Sequence, residues 1–216
     1  MRISGGEFKG RQLKTVRDNS PAGYRPATQK VRLALMSMLE ARGLDWETSR
    51  VLDCFAGSGS LGLEALSRGA AFVCFVERDP AAARLIRENA LLFDLPPGRW
   101  QVLGKELLAV LRRGPAALSA RPAACFATTP ATFDLAFIDP PYGANLLVPA
   151  VAGLLDAGWL APGAWIVAEV ESRLDLEPTA LDHRLQPRQD RQYGQTRIVI
   201  WEKQENSPST PEPSTP

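Results

Sequence analysis

The sequence predicts an α/β fold. It is a mostly parallel seven-stranded sheet with helices on both faces and an antiparallel hairpin at one edge, preceded by a small basic hairpin-and-helix extension. Three observations carry this expectation. Apolar runs of four to six residues alternate with segments of helical period between residues 50 and 170, a pattern that calls for parallel strands joined by crossover helices. Two strand-like runs near the C-terminal end have no helix between them, which suits an antiparallel edge. The first part of the chain differs from the rest in charge and in pattern.

The elements follow in order. Residues 1–16 read as a hairpin: Arg2-Ile3-Ser4 and Gln12 to Val16 flank the turn-rich Gly5 to Gly10. Asp18 to Pro26 is a loop, and Thr28 is placed to cap a helix on which Val31, Leu35, Met38 and Leu39 recur at helical spacing. Val51 to Phe55 is a short buried strand, followed by a glycine-rich turn and a helix through Leu61, Leu63, Ala65 and Leu66. Phe72 to Val76 is the second strand, ending at Glu77, and residues 80–93 form a helix with Ala83, Ile86, Ala90 and Phe93 on one side. Trp100 to Leu103, Phe133 to Ile138 and Ala164 to Ala168 complete the five parallel strands, with helices at Leu107 to Leu111 and Asn145 to Leu155 between them. The edge hairpin is expected near Leu181–Leu185 and Thr196–Trp201. Residues 114–132, rich in Ala, Pro and Thr, read as an inserted loop, and 204–216 as a disordered tail.

Composition excludes several classes of chemistry. Of 216 residues, 45% are hydrophobic and 23% charged, the balance of a globular chain. Apolar runs stop well short of a membrane span, and the N-terminus lacks the apolar stretch of a signal peptide. Cys54, Cys74 and Cys125 are an odd number without metal-site spacing, and His183 is the single histidine. No metal is expected. A disulfide framework and a Ser-His-Asp triad are unfavoured, and a reducing cytoplasm fits best. Nothing requires more than a monomer.

Charge is uneven. Residues 1–32 carry eight basic and two acidic side chains, whereas the other 184 carry 17 and 22. A basic arm on a near-neutral body suggests an anionic polymer as partner; the plainer reading is a solvated face that aids solubility.

Asp53-Cys54-Phe55-Ala56-Gly57-Ser58-Gly59-Ser60-Leu61-Gly62 lies between a strand and a helix. Gly57, Gly59 and Gly62 match the dinucleotide fingerprint by letter, and Glu77 stands 20 residues past Gly57. Glycines let a ligand press against backbone, and a carboxylate ending the second strand can accept ribose hydroxyls. Yet the strand ends in an acidic residue, and bulky Phe55 precedes the first glycine. An acidic strand tip suits a ligand with a cationic amino group and no pyrophosphate. This favours S-adenosylmethionine over a nicotinamide dinucleotide, with Asp53, Phe55, Ala56, Gly57, Gly59 and Glu77 as the binding set. The plainer reading makes Asp53 a helix cap.

Asp139-Pro140-Pro141-Tyr142 directly follows the fourth strand. The prolines remove two N–H donors and fix the turn, leaving the Asp139 carboxylate and the Pro140 carbonyl as acceptors beside a flat ring. That combination suits an exocyclic amino group on a nucleobase stacked against Tyr142. A rigid turn with Tyr142 in the core is the plainer alternative.

With these residues assembled, the chain resembles the bacterial 16S rRNA (guanine-N2)-methyltransferases of the small ribosomal subunit. The likeness runs over nearly all of residues 1–203. It includes Arg2-Ile3-Ser4-Gly5-Gly6, Lys9-Gly10-Arg11, Leu13, Arg25-Pro26-Ala27-Thr28, Val31-Arg32, the run Leu52 to Arg68, Glu77, Asn89, Asp139 to Tyr142, and Tyr193-Gly194-Gln195-Thr196. It departs at Ala27, Leu33 and Met36, where the family usually has Thr, an acidic residue and Phe.

The resemblance implies a Rossmann-like class I S-adenosylmethionine-dependent methyltransferase over residues 49–203, with 1–48 facing RNA. It implies methylation of a guanine N2 in 16S rRNA, either naked or within a part-assembled subunit. Asp139, Pro140 and Tyr142 would be catalytic, and a third cofactor contact would fall on Glu106. RNA contacts would fall on Arg2, Lys9, Arg11, Arg25, Thr28 and Arg32. The alternatives are a DNA adenine-N6 methyltransferase, an NAD-dependent oxidoreductase and a non-catalytic RNA-binding protein.

Overall fold

The computed structural model describes residues 1–15, 29–118 and 132–205. Five parallel strands form one side of a seven-stranded sheet: β1 (Arg50–Asp53), β2 (Phe72–Val76), β3 (Trp100–Leu103), β4 (Phe133–Ile138) and β5 (Leu160–Glu171). β6 (Leu185–Tyr193) and β7 (Thr196–Lys203) complete it as an antiparallel hairpin, β7 pairing with β5. The order is β3-β2-β1-β4-β5-β7-β6. The chain reverses its winding between β1 and β4, so a crevice opens there beyond the carboxyl ends of the strands.

Each face of the sheet has its own core. Side chains alternate along the strands. Val51, Phe75, Phe137 and Val167 face α1 (Gln29–Ala41), α2 (Ser60–Ser67) and α3 (Pro80–Leu92). Leu52, Val76, Ile138 and Ala168 face α4 (Leu107–Leu111) and α5 (Leu147–Asp156). α2 lies unusually close to the sheet: a Cβ on Gly62 would sit 2.3 Å from the Phe75 ring. Among the described residues, no helix is long and apolar enough to cross a membrane.

Three expectations change. The N-terminal hairpin is a looped segment with a single isolated bridge among the described residues, Arg2 to Gln12, and it buries Ile3, Phe8 and Leu13 in the core in place of a strand ladder. β6 begins where it was expected to end. Its sequence, Leu-Gln-Pro-Arg-Gln-Asp-Arg-Gln-Tyr, has almost no apolar signal because it is an edge strand, and Pro187 is accommodated at a register shift. β5 extends well beyond 164–168 in both directions, through an irregularity that absorbs Pro162 and Gly163. The expected 18–26 loop, most of the 114–132 insertion and the 206–216 tail lie outside the described residues.

Candidate active site

The site is built on strand tips. Asp53 ends β1, is 2% exposed, and its Oδ2 accepts the Gly62 N–H at 3.0 Å. It thereby caps α2 from the strand; Gly59, the residue at the helix start, offers no side chain to do so. Burial pushes the Asp53 carboxyl up to about 7; the Gly62 hydrogen bond opposes this and the Glu77 charge adds to it. Beyond Asp53 the chain is pinned across the sheet end by Cys54 N–H to Phe137 O at 2.9 Å and Ala56 N–H to Val76 O at 3.1 Å. Phe55 packs half-buried against the α4–α5 core. Gly57 has φ 52° and open space where a side chain would stand.

Glu77 reaches this loop. Its Oε2 accepts the Gly57 N–H and its Oε1 the Asp79 N–H, both at 2.7 Å. An acidic strand tip, a bare glycine backbone and a second carboxylate on the loop thus stand together, an acceptor set that fits an amino acid linked to a nucleoside. Glu106, the other expected contact, is exposed and caps α4, accepting Leu108 N–H at 3.1 Å and Ala109 N–H at 2.8 Å.

Asp139 directly follows β4, the strand that pairs with the Asp53 end of β1. Its Oδ1 is inaccessible and has no hydrogen-bond partner among the described residues. Burial raises its carboxyl well above the usual carboxylate range, and the charges of Glu169 and Asp53 raise it further. Pro140 is buried and Tyr142 half-buried, the phenol 3.2 Å from Thr196 Oγ1 on β7. Burial also raises the phenol's pKa. Pro140, Pro141 and Tyr142 border a cavity of about 580 Å³ that continues toward Leu147, Arg173 and Leu174. Among the described residues, no three His, Cys, Asp or Glu side chains are grouped to hold a metal.

The basic segment divides. Arg2, Lys9 and Arg11 are exposed. Arg2 Nη1 donates to Gly10 O at 2.8 Å, and the Arg11 guanidinium stands 5.2 Å from the Phe8 ring and 5.8 Å from that of Phe93. Arg25 and Thr28 lie outside the described residues. Arg32 corrects the sequence reading. It is 3% exposed, on the same face of α1 as Leu35, Met36 and Leu39, and donates to Arg2 O at 3.0 Å. Burial lowers its pKa, while Glu64 and Glu169 oppose that. It is an internal cation with almost no surface to offer a phosphate.

Sequence reasoning assigned no role to several residues that hold this segment. Ser4 donates its N–H and hydroxyl to the buried Glu64 carboxylate at 2.8 and 2.6 Å. Ser67 Oγ donates to Gly5 O at 2.6 Å and accepts the Phe8 N–H at 2.9 Å. Asn89 clasps Lys14, accepting its N–H at 2.9 Å and donating to its carbonyl at 3.0 Å. The available signal was polarity at helix positions that the apolar spacing puts inside: Glu64 among Leu61, Leu63, Ala65 and Leu66, and Asn89 beside Ile86 and Ala90.

Fold and site together define a class I methyltransferase with S-adenosylmethionine as cofactor. The chain belongs to the family described as conserved hypothetical protein 95, whose model matches residues 1–202. It is 36% identical over 181 residues to ribosomal RNA small subunit methyltransferase D of Escherichia coli strain K12, covering 82% of this chain and 79% of that protein. The enzyme of the same name from Haemophilus influenzae is 32% identical over 171 residues, 79% of each. Among solved structures, a methyltransferase from E. coli superposes with a TM-score of 0.74 at 29% identity, covering 95% of this chain and 98% of the other. A Thermus thermophilus 16S rRNA N2 G1207 methyltransferase, in complex with AdoMet and guanosine, shares the fold with a TM-score of 0.60 at 22% identity, over 86% of this chain and 45% of that one. The protein is an S-adenosylmethionine-dependent rRNA methyltransferase, and the oxidoreductase and non-catalytic readings fall away.

Proposed function

We propose that the enzyme methylates the exocyclic N2 amine of a guanine in 16S rRNA, in the bacterial cytoplasm. The observation that carries this reading is the buried, unpartnered Oδ1 of Asp139 beside the Pro140-Pro141-Tyr142 turn. A buried acceptor left unpaired costs stability unless a ligand donor meets it. An exocyclic amine has two N–H groups: one for Asp139 and one for the Pro140 carbonyl.

S-adenosylmethionine supplies an electrophilic methyl group when bound. Asp53 holds its ammonium, Glu77 its ribose, and Phe55, Ala56, Gly57 and Gly59 form the wall against which it lies. Glu106, which caps α4, is the third contact of the cofactor. Guanine N2 is a weak nucleophile because its lone pair is delocalised into the ring. Two hydrogen bonds localise that pair and aim it, so that orientation and fixed dipoles supply most of the acceleration. The base must leave its stack to reach this depth, and Tyr142 offsets part of that cost by stacking. Arg2, Lys9 and Arg11, with Arg25 and Thr28, hold the RNA backbone.

The test is single-turnover methylation of small-subunit RNA and of subunit particles, with product nucleosides identified by mass. N2-methylguanine that disappears with Asp139→Ala supports the reading. N6-methyladenine as product would keep fold and cofactor and replace the acceptor.

A further inference from the structure

Glu169 is buried near the end of β5, and neither the cofactor nor the base contacts described above use it. Its position relative to Asp139 follows from the sheet. Ile138 and Ala168 are register partners on the parallel strands β4 and β5, and both face α5. Glu169 is the next residue on β5, where alternation turns it toward the α1 face, and Asp139 directly follows the end of β4 beside it. There Glu169 meets the field of Arg32, the internal cation of α1.

The other charged groups around this pair come from each packed element. Asp53 stands on β1, Glu64 on α2, and Tyr142 and Glu171 at the ends of β4 and β5. From β7, the residue paired with Glu169 is the uncharged Ile198. Among the described residues, the charges that act on Asp139 are those of Glu169 and Asp53, and the Arg32 cation acts on Glu169.

We propose that Glu169 is a positioning residue for the reaction: its charge, anchored by Arg32, fits Asp139 to take the proton that the acceptor amine releases. This rests on the acceptor reading above. The step balances. The nitrogen lone pair forms the N–C bond, the electron pair of the broken S–C bond stays on sulfur, and the N2 proton passes to Asp139 and then to water. Once the N–C bond has formed, the nitrogen is cationic and gives up its proton readily, and a carboxylate beside a second, fixed negative charge holds that proton more tightly than an isolated one.

The deciding measurement is carboxyl NMR of ligand-free protein labelled with ¹³C at Asp and Glu side chains, titrated from pH 4 to 9. Asp139, assigned by its loss in Asp139→Asn, is expected to titrate above the ordinary carboxylate range and to fall by about 1–3 pH units in Glu169→Gln. Glu169→Asp, which keeps the charge, should restore most of the shift. In methyl transfer, the acid limb of the pH–rate profile should move with the NMR midpoint, whereas a merely structural residue would lower the rate equally at every pH. Should Glu169→Gln fail to fold with Arg32 uncompensated, the double variant Arg32→Gln, Glu169→Gln is expected to show the fall. An Asp139 midpoint unchanged by removal of Glu169 overturns the inference. If the wild-type enzyme makes no N2-methylguanine, the acceptor reading fails instead, and the titration still decides whether the two carboxylates are coupled.

Discussion

Cofactor binding should consume the protonated form of Asp53 and so depend on pH in a defined way. In the cofactor-free protein burial pushes this carboxyl up to about 7, from an ordinary value of 3.8. A raised carboxyl binds its proton more tightly folded than unfolded. Its contribution to stability is therefore greatest below pH 4, declines between about 4 and 7, and is gone above 7. An ammonium group placed against the same carboxylate favours the ionised form and brings its pKa back down. Binding then releases a proton wherever the free enzyme still holds one. At pH 6 that is about nine-tenths of the molecules, and affinity should be about tenfold weaker than at pH 8; at pH 5 the loss is about a hundredfold. Calorimetry in two buffers of different ionisation enthalpy counts the released protons directly. Asp53→Asn keeps an oxygen for the Gly62 N–H but has no charge to regain, so its affinity should be weaker at pH 8 and flat with pH. A wild-type affinity that is constant from pH 5 to 8, with no proton released, would refute the reasoning and leave Asp53 as a helix cap alone.

Glu77→Ala removes the proposed ribose acceptor and the partner of Gly57 and Asp79; it should weaken cofactor binding by on the order of 1.5–3 kcal/mol with the fold intact by circular dichroism. Neutralising Lys9 and Arg11 together should weaken RNA binding and flatten its salt dependence by about one slope unit per residue, whereas Arg32→Gln should lower the melting temperature. Asn89→Ala releases the Lys14 backbone, and should reduce RNA binding while leaving cofactor titrations unchanged. Tyr142→Ala should slow single-turnover transfer roughly tenfold to a hundredfold; Tyr142→Phe loses the contact to Thr196, keeps the ring and should stay within a few-fold of wild type.

The parallel half of the sheet was legible because its strands are buried on both faces. Phe72 to Val76 is apolar at every position, and every position is buried; no register is needed to recognise such a run. β6 was misplaced for the converse reason. Only Leu185 is buried on it, and the strand is specified by its ladder to β7, which leaves no mark in composition. The α1 helix fell between these cases: its spacing identified a helix, but Val31 and Met38 are at the margin of the buried face, and Arg32 and Met36 are at its centre.

Arg32 and Glu64 show where reading charge from sequence fails. Counting basic residues along 1–32 treats every cation as a surface cation. A helix that buries positions 32, 35, 36 and 39 takes one of those charges inside. The interior must then supply anions, and Glu64 and Glu169 are the carboxylates whose fields act on it. Glu64 in turn accepts both donors of Ser4, which fixes the start of the chain against α2. Glu169 lies beside Asp139, and so joins the same cation to the active site. The residue expected to touch RNA instead stands between the segment that carries the exposed basic side chains and the carboxylate proposed to meet the acceptor base. Such a link is invisible to motif spacing, because its linked members are 30 to 137 residues apart in sequence and only the sheet brings them together.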